Sequence, residues 1–340
     1  SSKQEMKFNA VVGNPPYQIM DGGNRNSATP VYNLFVDIAK KIAPNYLSMI
    51  MPSRWCVSGR GLDSFRENMF NDHHLEKLFD FSDGSIVFPG IRIGGGICYI
   101  LWNKQYNSDH VLIANMGSDF NIKQVLRPTI EFNLSFFIRN NYVRSIVKKV
   151  RNKNDEKMSD RALSQKPFGF RTNFIDFSES GEIKLYNKKA KSGIGFVKRD
   201  SVVKNASLID KWKVVTSRST SVPEEDNGQV LRIGQTFISE PGSVVTESYV
   251  VVDVFDNEDY AINCLKYLKT KFFRMLCQVV IVSPDVSSKT FELVPIQDFS
   301  KESDIDWSKS IEDIDNQLAT KYGLDAFERE YISNNVRALD

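Results

Sequence analysis

Short apolar runs closed by prolines alternate with stretches of helical spacing over the first 135 residues. FNAVV (residues 8–12) reads as a short buried strand that meets Gly13-Asn14-Pro15-Pro16-Tyr17. Two consecutive prolines fix two φ angles and remove two N–H donors, so neither a helix nor a central strand continues through them. Residues 30–43 (PVYNLFVDIAKKIA) place Val31, Leu34, Phe35, Ile38 and Ile42 at helical spacing with Pro44 beyond, which predicts an amphipathic helix with that stripe as its apolar face. YLSMIM (46–51), ended by Pro52, is a buried strand; residues 62–70 are helical in pattern; 75–81 and 97–102 are further strands. Strands alternating with helices predict an α/β layer built on a largely parallel sheet. Ligands of such sheets bind beyond the carboxyl ends of the strands, where Asn14 to Tyr17 fall.

From residue 136 the pattern changes. Residues 136–157 form a polar, basic, helix-like stretch, and FVKR, WKVVTS, VLRI and YVVVDVF are strand-like runs separated by Gly, Pro and Asn turns, so this region reads as β-rich or mixed. AINCLKYLKTKFFRML (261–276) has helical spacing throughout, and residues 304–340 are acidic and helical in pattern. The divisions that follow are 1–135, a helical connector 136–165, a mixed α+β body 166–300 and an acidic tail 301–340.

Composition adds limits. With 340 residues, 41% hydrophobic and 25% charged, the chain has room for two domains with separate cores. Its apolar runs are too short for a membrane span and residues 1–9 carry no apolar leader, so no membrane association and a cytoplasmic location are expected. Cys56, Cys98, Cys264 and Cys277 are scattered without a C-x-x-C, which predicts reduced core thiols and no structural metal. The formal net charge of +2 hides an asymmetry: residues 139–218 hold 20 Lys and Arg against 8 Asp and Glu, while residues 292–340 hold 5 against 12. The basic block favours a polyanion partner.

Several chemistries find no support. His73, His74 and His110 are the only histidines, and there is no H-x-x-x-H or G-x-S-x-G for a metal or hydrolase site. Gly94-Gly95-Gly96 lacks a P-loop Lys-Ser/Thr and precedes a strand, so it reads as a bend or a close backbone approach. Asp80, Asp83, Asp253 and Asp256 are dispersed, without a nuclease-like E-x-K.

Asn14-Pro15-Pro16-Tyr17 after a strand remains, and it resembles motif IV of the N6-adenine DNA methyltransferases, whose signature is Asn/Asp/Ser-Pro-Pro-Tyr/Phe. Following it with a helix carrying YNLF and the strand and turn YLSMIMPSRW is similar to that family's catalytic domain. The chemistry accounts for the residue types. Adenine's exocyclic amine is a poor nucleophile because its lone pair is delocalised into the ring. The Asn14 side-chain oxygen and the Pro15 carbonyl form an acceptor pair for both N6 hydrogens, favouring the pyramidal amine that attacks a methyl sulfonium. Pro15 and Pro16 hold those acceptors rigidly, and Tyr17 presents a ring to a base taken out of the duplex. IVFP before GGGICYILWN matches the loop on which the family places a second base-contacting aromatic, here Phe88, with a plain core residue as the rival reading.

KPFGFRTNF, LRIGQTF, CLKYLKTKFFRML, FELVPIQDF and KYGLDAFEREYI resemble the recognition region and tail of type II and combined restriction-modification methyltransferases. The resemblance implies a partial Rossmann-like catalytic domain followed by a target-recognition domain, double-stranded DNA as partner, and S-adenosylmethionine as cofactor. Arg171, Lys188, Lys189, Lys198, Arg199 and Arg218 are the candidate phosphate contacts. The family's cofactor motif, an acidic or aromatic residue then G-x-G, lies upstream of motif IV or, in permuted relatives, after the recognition region. Neither place carries it here, which predicts an incomplete cofactor site and a partner region, in cis or in a separate chain, that supplies the rest. The alternative is a DNA-binding specificity module without chemistry of its own.

Overall fold

The computed structural model describes residues 8–19, 29–57, 61–91, 93, 95–116, 122–132, 134, 136–151, 156–219, 233–280 and 285–336. The chain divides into two compact units, Ser1–Arg144 and Ser145–Asp340.

The first unit is built on a six-stranded sheet. Its elements are β1 (Ala10–Gly13), the two-residue strands β2 (Gln18–Ile19) and β3 (Thr29–Pro30), α1 (Tyr32–Lys41), β4 (Tyr46–Pro52), α2 (Asp63–Phe70), β5 (Leu75–Phe81), β6 (Ile97–Asn103), β7 (His110–Met116) and β8 (Ile122–Pro128). Sheet order is β1-β4-β6-β5-β7-β8. β1, β4, β5 and β7 run one way, giving the expected largely co-directional α/β sheet, while β6 and β8 oppose them. The reason is the connection. No α-helix separates β5 from β6, and only an antiparallel neighbour is reached without a helical crossover. The β7/β8 hairpin was not foreseen from the sequence.

A core of Leu47, Met51, Trp55, Leu78, Cys98 and Ile100 lies against the sheet, with Phe65 and Met69 of α2 packed on it. α1 departs from expectation. Tyr32, Val36 and Ala39 face that core, whereas Leu34, Ile38 and Ile42 of the predicted apolar stripe are 53%, 55% and 43% exposed. The helix thus carries two apolar faces, and the outer one, with Phe35 beside it, stays exposed among the described residues. β1 sits at the same sheet's edge, and its Val12 is 78% exposed.

The basic stretch predicted as a helix over 136–157 becomes α3, Asn141–Arg151. Asn140 starts it by accepting, through its side-chain oxygen, from the N–H groups of Tyr142 and Val143. Phe137 and Ile138 before it are buried without being helical.

The second unit holds two three-stranded sheets. One is β10 (Ile194–Val197), β9 (Ile183–Tyr186) and β13 (Ser243–Val245); the other is β12 (Thr236–Ser239), β11 (Trp212–Ser217) and β14 (Tyr249–Phe255). WKVVTS and YVVVDVF are thus strands as read, and residues 230–232 of VLRI lie outside the described residues. The helix predicted over 261–276 is two helices, α4 (Glu258–Lys269) and α5 (Lys271–Val280). The break is at Thr270, whose ψ of 148° is extended; its hydroxyl donates to the Tyr267 carbonyl and accepts from the Phe273 N–H. Asp315 then takes the Lys271 and Phe272 N–H groups at the start of α5. α6 (Ile311–Lys321) and α7 (Ala326–Asn335) begin at Ser310 and Asp325 caps. No helix among the described residues is long and apolar enough to cross a membrane.

Lys213 on β11 is fully buried and donates to the carbonyls of Leu208, Ile209, Lys211 and Glu240. Burial lowers its ammonium from 10.5 to about 8. Between those values the unfolded chain holds a proton that the folded chain has released. Stability therefore climbs as pH rises from about 8 toward 10.5 and loses that gain as pH falls back. Denaturant melts across this window should show a rising contribution that Lys213→Met removes.

Candidate functional site

β1 pairs with β4 in parallel through Gly13 opposite Met49, then pairing stops at Asn14. Pro15 and Pro16 cannot donate to a ladder, so the backbone leaves the sheet there. It is retied at Tyr17, whose carbonyl accepts from the Val31 N–H, and at β2, which pairs with β3 immediately before α1. The turn is therefore anchored at the strand end on one side and at the helix start on the other. Asn14 and Pro16 are exposed and Pro15 is buried. Among the described residues no hydrogen bond reaches the Asn14 carboxamide or the Pro15 carbonyl, so both acceptors are unengaged.

Tyr17 is half-buried and packs against the core of the first unit. Its hydroxyl is buried and has no hydrogen-bond partner among the described residues. Burial, with the nearby Cys98 thiol as a smaller contribution, raises the phenol above its ordinary range. The side chain is thus a neutral phenol with its hydroxyl buried.

Asn14, Pro15, Pro16, Tyr17 and Gln18 line a cleft of about 350 Å³ together with Phe88, Ile91 and Ile93. The sequence-predicted turn and the sequence-predicted ring, more than 70 positions apart, are brought to one place. Phe88 is positioned by a short turn. The Asp83 side chain accepts from the Ser85 N–H, Gly84–Ile86 form one 3₁₀ turn, and the Phe88 N–H donates to the Gly84 carbonyl. Gly90, at φ +80°, reverses the chain after Pro89 and delivers Ile91, 55% exposed, to the cleft. Gln18, Ile91 and Ile93 escaped sequence reasoning, since an isoleucine in a loop carries no chemical signature.

The cleft suits a flat heterocycle bearing an amine. Its lining is mostly prolines, isoleucines and two aromatic residues, with Asn14 and Gln18 as the polar members. It does not suit the methyl donor, because none of its lining residues is a carboxylate for a ribose or a charged group for an amino-acid moiety. The four cysteines are free and buried, and among the described residues no cluster of three or more His, Cys, Asp or Glu could hold a metal ion.

The six basic candidates all lie in the second unit and differ in engagement. Arg171, Lys189 and Lys198 are exposed and make no ion pair among the described residues. Lys188, also exposed, has its ammonium 5.5 Å from the Tyr249 ring centre. Arg199 is held by both oxygens of Asp210 at 2.9 Å and by Glu182 at 3.3 Å, and Arg218 by Glu247 at 2.8 Å. The first four are exposed and without an ion pair among the described residues; the last two would have to exchange a carboxylate for a phosphate.

Residues 1–88, a stretch containing both Asn14–Tyr17 and Phe88, match the family model described as Eco57I restriction-modification methylase. Over 104 residues the chain is 35% identical to an uncharacterized adenine-specific methylase of Mycoplasma pneumoniae, covering 30% of this chain and 25% of that protein. The chain therefore spans about a quarter of that relative's length. Among solved structures, the type IIG restriction endonuclease BpuSI aligns with 96% of this chain and 54% of its own at 12% identity and a TM-score of 0.42. A type I restriction-modification methyltransferase subunit of Streptococcus thermophilus aligns with 46% of this chain and 35% of its own, at 10% identity and a TM-score of 0.27. The methylase resemblance read from the sequence is borne out by the family match over residues 1–88.

Proposed function

We propose that this chain, whose first 88 residues match the Eco57I restriction-modification methylase family, forms the acceptor-base half and the DNA-recognition region of a site-specific adenine N6-methyltransferase. The observation that supports it most is the cleft. A turn with two unengaged acceptors and a neutral ring shares one cavity with a second ring on a separate loop. An adenine taken out of the duplex would lie against Tyr17 and Phe88, with its amine hydrogens shared between the Asn14 side-chain oxygen and the Pro15 carbonyl. Both acceptors withdraw the amine from conjugation and leave its lone pair directed at an incoming methyl. No base is needed beforehand, because the amine proton becomes acidic only after methyl attachment.

A donor of the S-adenosylmethionine class would supply the methyl group. The cleft residues do not hold it, and the surface left open by this unit is where a donor-binding body would sit: the free edge of β1 and the outward stripe of Leu34, Ile38 and Ile42. That body would be part of the same polypeptide or a separate chain. The basic second unit supplies phosphate contacts through Arg171, Lys188, Lys189 and Lys198, with Arg199 and Arg218 joining by partner exchange.

The test is methyl incorporation into duplex DNA from labelled S-adenosylmethionine by the full-length natural protein, with the product identified as N6-methyladenine. Product on cytosine, or none, would overturn the reading. Duplex affinity should also fall steeply with salt, by about 10²-fold or more between 50 and 200 mM if four or more phosphates are neutralised; a flat response would remove the second unit from DNA binding.

A further inference from the structure

We infer that Arg139 is a positioning residue for base capture, acting through Asp80 to fix the loop that carries Phe88 and Ile91. The inference rests on the reading of that cleft as the adenine site.

Arg139 lies before α3, some fifty positions from the loop in sequence. Its Nη2 and Nε donate to the two carboxylate oxygens of Asp80 at 2.6 and 3.1 Å, and its Nη1 donates to the Gly95 carbonyl at 2.8 Å. One guanidinium thus ties the end of β5 to the foot of the β5–β6 loop, in the planar geometry that only arginine provides. Asp80, nearly fully buried, also accepts from the Ser53 hydroxyl at 2.7 Å, and the Ser53 N–H donates to the Gly96 carbonyl at 3.0 Å. The turn after β4 therefore joins the same network. Gly96 sits at φ +82°, where a Cβ would lie 2.2 Å from the Phe81 carbonyl and 3.1 Å from Arg139. The glycine is there because the loop foot is pressed onto the strand end.

Everything the cleft takes from this loop, Phe88, Ile91 and Ile93, is held between that foot and the turn at Asp83–Gly84. Ile93 further packs near Gly84, with 3.3 Å separating its Cβ from where a Gly84 Cβ would be. A network that engages all three guanidinium nitrogens of one arginine at a loop foot is more than core packing requires: the strands β5 and β6 are already paired over Leu75–Phe81. What the network adds is a fixed place for the ring.

The experiment is a double-mutant cycle in the full-length, methylating protein, using Arg139→Ala, Phe88→Ala and the pair, with thermal midpoint and duplex affinity measured alongside. Arg139→Ala should lower kcat by about tenfold or more, since displacement of a positioning group by about 1 Å is enough for such losses. Duplex affinity should stay within about twofold, and the double variant should be no slower than Phe88→Ala alone. Arg139→Lys, which cannot span both partners, should not restore the rate. If Arg139→Ala does not fold, Asp80→Asn carries the same cycle. Wild-type kcat in folded Arg139→Ala, or losses that add fully with those of Phe88→Ala, would overturn the inference. If Phe88→Ala itself has no effect, the base-site reading at Phe88 fails first, which separates the two.

Discussion

Replacing Asn14 with alanine should reduce methyl transfer by the full-length protein by about 10²–10³-fold in kcat, the loss that follows removal of one preorganised polar group from a reacting centre. The side chain is exposed and unengaged, so its removal leaves no buried partner unsatisfied and should not alter the thermal midpoint. Duplex affinity should be nearly unchanged, because phosphate contacts in the second unit carry it. Asn14→Asp, which keeps an oxygen acceptor at the same reach, should retain more activity than Asn14→Ala. Initial rates at saturating DNA and S-adenosylmethionine decide the matter. Full activity in Asn14→Ala would mean that the turn does not hold the amine.

The second large effect should come from the rings. Tyr17→Ala and Phe88→Ala each remove a stacking platform, a loss of about 1–3 kcal/mol per base, or about 5- to 150-fold in kcat/KM. Such defects have a signature that the Asn14 defect lacks. A mismatched target adenine is already unpaired, so its extrusion is less costly and depends less on the platforms. On such a duplex the ring variants should recover much of their rate, whereas Asn14→Ala should stay slow. Tyr17→Phe should be fully active, since the ring is kept and the hydroxyl is buried without a partner among the described residues; it should be at least as stable as the natural chain. Equal defects on matched and mismatched targets would place Tyr17 and Phe88 outside base capture.

Much of the first unit was legible in the sequence because its strands are short, apolar and punctuated. The positions of β1, β4, β5 and β6 follow from runs that end in prolines or turn residues. The Asn14–Tyr17 turn was legible because two prolines after a strand have few structural explanations. Other features were not, the β7/β8 hairpin among them. The antiparallel entry of β6 depends on a connection that carries no helix, which a propensity pattern does not report. The orientation of α1 was misread because periodicity shows that a stripe exists and cannot show which face meets the sheet when both faces are apolar; Tyr32, Val36 and Ala39 form the inner one. The break at Thr270 was hidden because residues 261–276 keep helical spacing on both sides of it, and only the backbone angle and the Asp315 bonds reveal the second helix start. At the site, Phe88 was found through a family pattern, while the Arg139 network left no mark in local sequence because its members are spread over positions 53, 80, 95 and 139.

The two prolines of the turn have a thermodynamic consequence. Pro15 and Pro16 fix their φ angles, so the conformational freedom of the acceptor pair is surrendered when the chain folds and is not surrendered again when a base arrives. A turn of freer residues would pay that ordering at every turnover, and it would appear as a more negative activation entropy with little change in activation enthalpy. Rigidity at Asn14–Tyr17 therefore shifts an entropic term from the catalytic cycle to the single event of folding.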